Sequence, residues 1–184
     1  MQVAVILPSR GMAFSETVEE VYRELLLAQK KLGITWKVYW SHGRKVPDCL
    51  NVPTKQALKV KGNTHFWYVD DDMILPRGVL TSLLEANKHA IVCDYPCTIT
   101  MGAVLYDREG RAYFGGNGCL LVKREVLEDL KDPIWRSDIG WQIRYHNDFV
   151  EFVAGTDNPD KVYGRHDVHF GLRLYAKGNS TICK

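Results

Sequence analysis

Three consecutive carboxylates, Asp70, Asp71 and Asp72, follow directly on four apolar residues, Phe66, Trp67, Tyr68 and Val69. The apolar run has no polar face, which predicts a strand buried on both sides, as in the middle of a parallel sheet. Three charges cannot continue inside a core, because an unpaired buried charge costs several kcal/mol. The carboxylates therefore belong where the strand leaves the sheet, at its carboxyl end. That edge is where open α/β sheets bind ligands. A tight turn can bring Asp70 and Asp72 onto one divalent cation, and hard oxygen donors suit magnesium or manganese shared with a ligand phosphate. The competing reading is an acidic turn that caps a helix opening at Pro76.

Two further stretches hold chemistry-bearing groups. Pro8, Ser9, Arg10 and Gly11 end the apolar strand 3–7 and feed a helix, as in the first unit of a nucleotide-binding α/β fold. No glycine-rich phosphate fingerprint is present. Arg10 is either a contact for a diphosphate or base, or a surface arginine in a turn. Near the end of the chain, Arg165, His166, Asp167 and His169 lead into a helix that stops at Gly178. Asp167 lies at that helix's N-terminus, where the macrodipole favours its ionised form and where a simple capping role is the alternative.

The elements that must position these groups alternate. A helix spans 15–32, with a Thr17-x-x-Glu20 capping-box pattern, a stripe of Val18, Val21, Tyr22, Leu25, Ala28 and Leu32, and Gly33 as its stop. A strand at 35–40 follows, then a helix from about 51 with Pro53 in its first turn. The order β-α-β-α-β predicts a parallel sheet with right-handed crossovers. After a helix from Pro76 and a strand at 90–93, the texture changes. Asp107-Arg108-Glu109-Gly110 reads as a hairpin turn between strands 98–105 and 112–114. The strand 119–122 and a short helix 124–130 come next. The region 135–160 carries Trp135, Trp141, Tyr145, Phe149 and Phe152 and reads as a long loop or lid with one strand near 149–153.

Composition bounds the answer. The 184 residues are 46% hydrophobic and 25% charged, enough for one domain with a real core. A net charge of +2, without a basic run, gives no nucleic-acid signature. The opening apolar run is strand-length and no stretch reaches the length of a membrane span, so neither a targeting peptide nor a membrane-spanning helix is expected. Five cysteines without a zinc or redox spacing fit reduced thiols, so a cytoplasmic setting is expected.

In this order the blocks resemble the GT-A fold glycosyltransferases, in particular small type-2-like members from phages and microbes. The blocks are residues 3–11; Val52 to Leu58, with Lys55-Gln56 where the family usually has Arg-Asn; the DxD-like Asp70-Asp71-Asp72; Gly116-Asn117-Gly118 with the strand after it; and Arg165 to Phe170, similar to the family's Glu-Asp-x-x-Phe segment, with Arg173 and Gly178 beyond it. The resemblance implies a single GT-A (Rossmann-like) α/β domain. Residues 1–96 would form a parallel nucleotide-sugar-binding half and residues 97–184 a mixed or antiparallel acceptor half. It implies transfer of a sugar from a nucleoside-diphosphate donor, most simply a UDP-sugar, to an acceptor hydroxyl, with Mn2+ or Mg2+. Pro8, Ser9, Arg10, Lys55, Asp70 and Asp71 would bind the donor, and Asp70 and Asp72 the metal. Asp167 would be the base of an inverting displacement. Gly116, Asn117 and Gly118 would lie under donor sugar or acceptor, and Trp135 and Trp141 would supply aromatic faces to the acceptor pocket.

Two departures stand out. His166 occupies the place of the usual Glu, and the family's metal-binding His beyond the Gly178 position is not reached by Lys184. Either the metal site is incomplete, or His166 or His169 substitutes, or a further segment follows. A non-catalytic carbohydrate- or nucleotide-binding domain of the same fold is the alternative reading. A nucleotidyltransferase is disfavoured by the short, glycine-poor loop after the first strand. The acceptor is a glycan, a small molecule or a hydroxymethylated pyrimidine in phage DNA.

Overall fold

The computed structural model describes residues 1–9, 11–96, 102–146, 150–155 and 164–183. Its centre is β3 (Asn63–Val69), whose Phe66, Trp67, Tyr68 and Val69 are all fully buried, as the unbroken apolar run requires. Alternation along the strand sends Phe66 and Tyr68 into one core layer and Trp67 and Val69 into the other. β3 pairs in parallel with β1 (Gln2–Pro8), and β1 with β2 (Thr35–Ser41). On its other side β3 pairs with β7 (Cys119–Lys123), which is antiparallel both to it and to β4 (Ala90–Cys93). β10 (Ser180–Cys183) closes the sheet in parallel with β4, so the order is β10-β4-β7-β3-β1-β2. Every strand but β7 points the same way. The loops after β1, β2, β3 and β4 therefore share one edge with the turn that enters β7. The chain is a mixed α/β fold on one six-stranded sheet.

α1 (Ser15–Leu32) starts and stops where its periodicity predicts, and Gly33 closes it with φ 63° and an N–H to the Gln29 carbonyl. Its start differs in detail. The capping box is not formed: Phe14 is the N-cap, Thr17 is buried, and Glu20 instead accepts the backbone N–H of Leu75. α2 (Asp48–Leu58) begins three residues before the expected start, so Pro53 lies inside it. α3 (Val79–Glu85) begins after Gly78, not at Pro76. Its first N–H groups are served by a side chain from α1, the fully buried Glu24, which accepts from Gly78 N at 2.8 Å and Leu80 N at 3.3 Å. α4 (Arg124–Asp129) follows β7, and α5 (His166–Ala176) precedes β10. No helix among the described residues is long and apolar enough to cross a membrane.

The second half holds two hairpins. β5 (Val104–Tyr106) and β6 (Ala112–Gly115) flank the expected turn. β8 (Trp141–Tyr145) pairs with β9 (Val150–Ala154), so the supposed lid contains an antiparallel ribbon and not one strand. Phe149 and the 98–101 part of the first expected strand lie outside the described residues. Trp135, expected to offer an aromatic face to an acceptor, is a core residue. It is fully buried, stacked on Phe170 at 3.8 Å and edge-on to Tyr68 at 5.3 Å. Its backbone is held on both sides by the Asn51 amide, which donates to Trp135 O at 2.8 Å and accepts from Trp135 N at 3.0 Å. The loop before it is fixed from α5, where the Arg173 guanidinium donates to the carbonyls of Lys131, Pro133 and Ile134.

The β5–β6 turn is tied to α5 by Asp107. Its carboxylate accepts from Arg111 N at 2.7 Å, Arg111 Nε at 2.6 Å and the Tyr175 hydroxyl at 2.8 Å. Burial opposes its ionisation, but the Arg111 N–H, the Tyr175 hydroxyl and the Arg111 guanidinium outweigh it and hold the carboxyl down at about 2, against an ordinary 3.8. A depressed carboxylate stabilises the fold above its unfolded pKa, and that stabilisation is lost as pH falls through the folded value. Thermal melts of Asp107→Asn and wild type should thus differ by a constant amount above pH 3.8 and converge as pH falls to about 2. A gap that does not narrow over that window would contradict the assignment.

Candidate functional site

At the carboxyl edge of the sheet the three aspartates leave β3 in a tight turn. Asp70 N donates to Gly118 O at 3.3 Å, and Met73 N donates to Asp70 O at 3.4 Å. Phe14 N donates to Asp71 O at 2.9 Å, which fastens the loop after β1 to this turn. The carboxylates do not cap α3, since Glu24 serves its start. The capping explanation of the acidic run is therefore set aside.

The turn opens into a cleft of about 190 Å³ lined by Pro8, Ser9, Val46, Cys49, Leu50, Asp70, Asp71, Asp72 and His166. Four separate elements converge there. Ser9, buried after β1, accepts the Gly11 N–H on its hydroxyl at 3.1 Å. Cys49 and Leu50 belong to the first turn of α2, and His166 is the first residue of α5. One wall thus carries three carboxylates, and the others carry the N-terminal ends of two eleven-residue helices. Helix N-termini favour anions. The first turn of each of these helices also carries an acid, Asp48 in α2 and Asp167 in α5.

The electrostatics agree with this placement. Burial pushes the Cys49 thiol up, and Asp70, then Asp71, add to that effect, so the sulfur stays protonated beside the carboxylates. Burial pulls His166 below 6.5, opposed by Asp167. At neutral pH its imidazole is therefore uncharged, the form that can ligate a metal or accept a proton.

The other expected site residues fall in different places. Lys55 is not among the cleft-lining residues: its ammonium pairs with Asp132 at 2.8 Å. Asp167 is the second residue of α5 and does not line the cleft. Its Oδ1 lies 3.3 Å from where a Cβ on Gly164 would stand. His169, one turn along α5, is tilted against Trp141 at 6.0 Å and does not share the cleft with Asp70–72. Burial, then Arg173 and Arg136, lower its pKa, and Asp138 opposes them. The Trp141 indole N–H and His169 Nδ1 are both buried without a hydrogen-bond partner. Arg10 lies outside the described residues.

Gly116 and Gly118 are filled rather than open. A Cβ on Gly116 would stand 2.3 Å from the Tyr95 hydroxyl, and one on Gly118 would stand 2.6 Å from it and 2.7 Å from Met73 Sδ. The Tyr95 hydroxyl also accepts the Gly118 N–H at 3.1 Å. These glycines admit Tyr95, and through Gly118 they reach the Asp70 backbone. Asn117 between them is buried, with both amide atoms unpartnered. Sequence reasoning missed Cys49, Leu50 and Val46 as cleft walls. Their signal was the Pro47-to-Pro53 stretch, which starts a helix at the same sheet edge.

A divalent cation has a partial fit. No three His, Cys, Asp or Glu side chains among the described residues stand close enough to hold a metal by themselves. The donor set of hard carboxylates on one wall suits Mg2+ or Mn2+ that completes its shell with water and ligand phosphate.

No family profile matches the sequence, and no curated protein matches it. Among solved structures the chain is similar to A197 from STIV, at 15% identity and a TM-score of 0.56, over 99% of this chain and 80% of that one. At that identity the likeness concerns the fold: nearly the whole chain follows the same mixed α/β path.

Proposed function

We propose that the chain is a metal-dependent glycosyltransferase of the GT-A type, taking a sugar from a nucleoside-diphosphate donor, UDP-linked in the simplest case, to an acceptor hydroxyl. One observation carries the reading: three carboxylates, which do not serve the start of α3, open into the same cleft as Ser9, His166 and the first turn of α2. A mixed sheet with its ligand edge at the end of β3 supports it. Asp70 and Asp72 would hold Mn2+ or Mg2+, with neutral His166 available as a further ligand. Bound there, the cation would neutralise charge on the departing diphosphate. The helix N-termini of α2 and α5 favour the phosphates, and Pro8 and Ser9 wall the donor. Asp167, beside the cleft at the start of α5, is the proposed base, and inversion at the sugar carbon follows from that role.

The test is calorimetry with UDP, with and without Mn2+, on wild type and Asp72→Ala. Binding of UDP should require Mn2+ and fall at least about 100-fold in Asp72→Ala, as expected when a charged ligand is removed from a cation site. Absence of binding to UDP, GDP, CMP and dTDP alike would overturn the reading. Mn2+-dependent hydrolysis of a UDP-sugar without acceptor separates an enzyme from a binding domain of the same fold. Hydroxymethylated DNA as acceptor requires a mobility shift of such DNA at low salt.

A further inference from the structure

β2 closes one edge of the six-stranded sheet, and among the described residues no strand lies beyond it. Its pairing to β1 runs over all seven residues without a register shift. Thr35 N donates to Met1 O, and Ser41 O accepts from Ser9 N, so the odd-numbered residues bond inward to β1. By alternation the N–H and C=O groups of Trp36, Val38 and Trp40 point outward. No hydrogen bond reaches those groups from the described residues. Such an edge is a template for another strand unless charge, proline or a bulge blunts it. β2 has no proline and no bulge, and its one charge is Lys37. On the α1 face of the sheet Trp36, Val38 and Trp40 are half-buried. Beside them α1 exposes Tyr22 (38%) and, one turn on, Leu26 (60%). Tyr22 is edge-on to Trp36 at 5.7 Å, and the Trp36 indole N–H donates to Gln29 at 3.2 Å, which holds this flank of the helix to the strand.

The strand itself selects its partner. Thr35-Trp36-Lys37-Val38-Tyr39-Trp40-Ser41 reads nearly the same in both directions about Val38. We infer that β2 pairs antiparallel with β2 of a second copy of this chain, across a two-fold axis at Val38, joining the two sheets into one. In that register Val38 meets Val38, Trp36 meets Trp40 and Thr35 meets Ser41, the like kinds of side chain that stabilise cross-strand pairs. Lys37 meets Tyr39, the kind of ring over which its own ammonium already stands at 5.3 Å. All three outward residues are engaged. Moving the axis one residue to Lys37 would oppose two ammoniums. The ends of the strand complement each other as well. At its carboxyl end stand Glu16, Glu19 and Asp48 against Arg44 and Lys45, and at its amino end Lys30, Lys31, Lys59 and Lys61. The axis sets each net-acidic corner beside the partner's basic one. It also turns the two carboxyl edges in opposite directions, so neither cleft is covered. The pairing does not rest on the transferase reading.

Analytical ultracentrifugation of the full chain over a range of concentrations tests it, together with residue-resolved amide exchange. A dimer should form and dissociate on dilution. As concentration rises, exchange should slow at the amides of Trp36, Val38 and Trp40, while those of Lys37 and Tyr39, already bonded to β1, stay as they were. Val38→Lys and Val38→Glu each place like charges against one another at the axis, so each alone should weaken association at least about tenfold. Their equimolar mixture should dimerise again, which also shows that both variants fold. If either variant does not fold, the wild-type amide pattern decides. A monomer at every concentration overturns the pairing and leaves the edge to a strand from a different protein. A dimer whose Trp36, Val38 and Trp40 amides exchange as fast as in the monomer overturns it, as does a dimer that both single variants retain. A mixture of the two folded variants that stays monomeric overturns the axis at Val38.

Discussion

Trp135→Ala is expected to lower stability by about 3–5 kcal/mol, the range for removing a large buried aromatic. The loss reaches beyond a cavity. Trp135 is the shared layer between Tyr68 of β3 and Phe170 of α5. Tyr68 in turn meets Thr54 of α2 at 3.0 Å, and because the Thr54 hydroxyl donates to Leu50 O, the Tyr68 hydroxyl must be the donor between them. Without the indole, α5 has no firm seat on the sheet one turn from His166. Denaturant melts should show the loss, and UDP titration in Mn2+ should weaken in the folded variant. Trp135→Phe, which keeps most of the ring stack, should recover more than half of the stability. A loss below about 1 kcal/mol for Trp135→Ala, in the range of ordinary surface changes, would mean the ring is not bearing on that core.

Gly171→Ala is the second large effect. α5 lies so close on β6 that a Cβ at 171 would stand 2.2 Å from Phe114 Cβ, 2.4 Å from Phe114 Cα and 3.1 Å from the Tyr113 carbonyl. The obstacle includes backbone, so helix and strand must part. Overpacking of this kind costs about 1–3 kcal/mol and sometimes more. Alanine improves intrinsic helix propensity by about 1 kcal/mol, so any net loss understates the clash. The melting temperature should drop, and proteolysis should first cut near α5. An unchanged or raised melting temperature would refute the close approach.

Much of the fold was legible because its central strands are buried on both faces and announce themselves without alternation. β1, β4 and β7 fall within a residue of their apolar runs, and β3 ends with its run at Val69 but starts three residues earlier, at Asn63. α1 was readable from its stripe and its terminal glycine. What escaped has physical causes. The start of α3 was misplaced because its cap is Glu24, distant in the chain, while local signals favoured Pro76. β10 is only four residues, Ser180–Cys183, with no pattern of its own, and its place depends on β4. Trp135 was misjudged because an aromatic among polar residues looks exposed until Asn51 and Arg173 are seen to hold its loop down.

The same division holds for the site. Asp70, Asp71, Asp72, Pro8, Ser9 and His166 do share one cleft, because strand ends at one sheet edge are predictable from strand order. Which face of α5 looks into that cleft is not, and it separates His166 from Asp167 and His169. Lys55 likewise turns to Asp132, a partner set by tertiary packing.

The reversed strand has a consequence for how the chain is made. β3 and β4 follow one another in sequence, yet β7 lies between them, and both sheet partners of β4 come later in the chain. A nascent chain that has emerged only through residue 96 has no neighbour for β4, and one edge of β3, with Phe66 to Val69 along it, stands open to unwanted pairing. Asp70 likewise acquires the Gly118 carbonyl only when the segment leading into β7 is in place. The two halves are thus interlocked: threading β7 into the gap finishes the sheet and the acidic turn together, and synthesis of the first half alone should yield an aggregating fragment with no competent cleft.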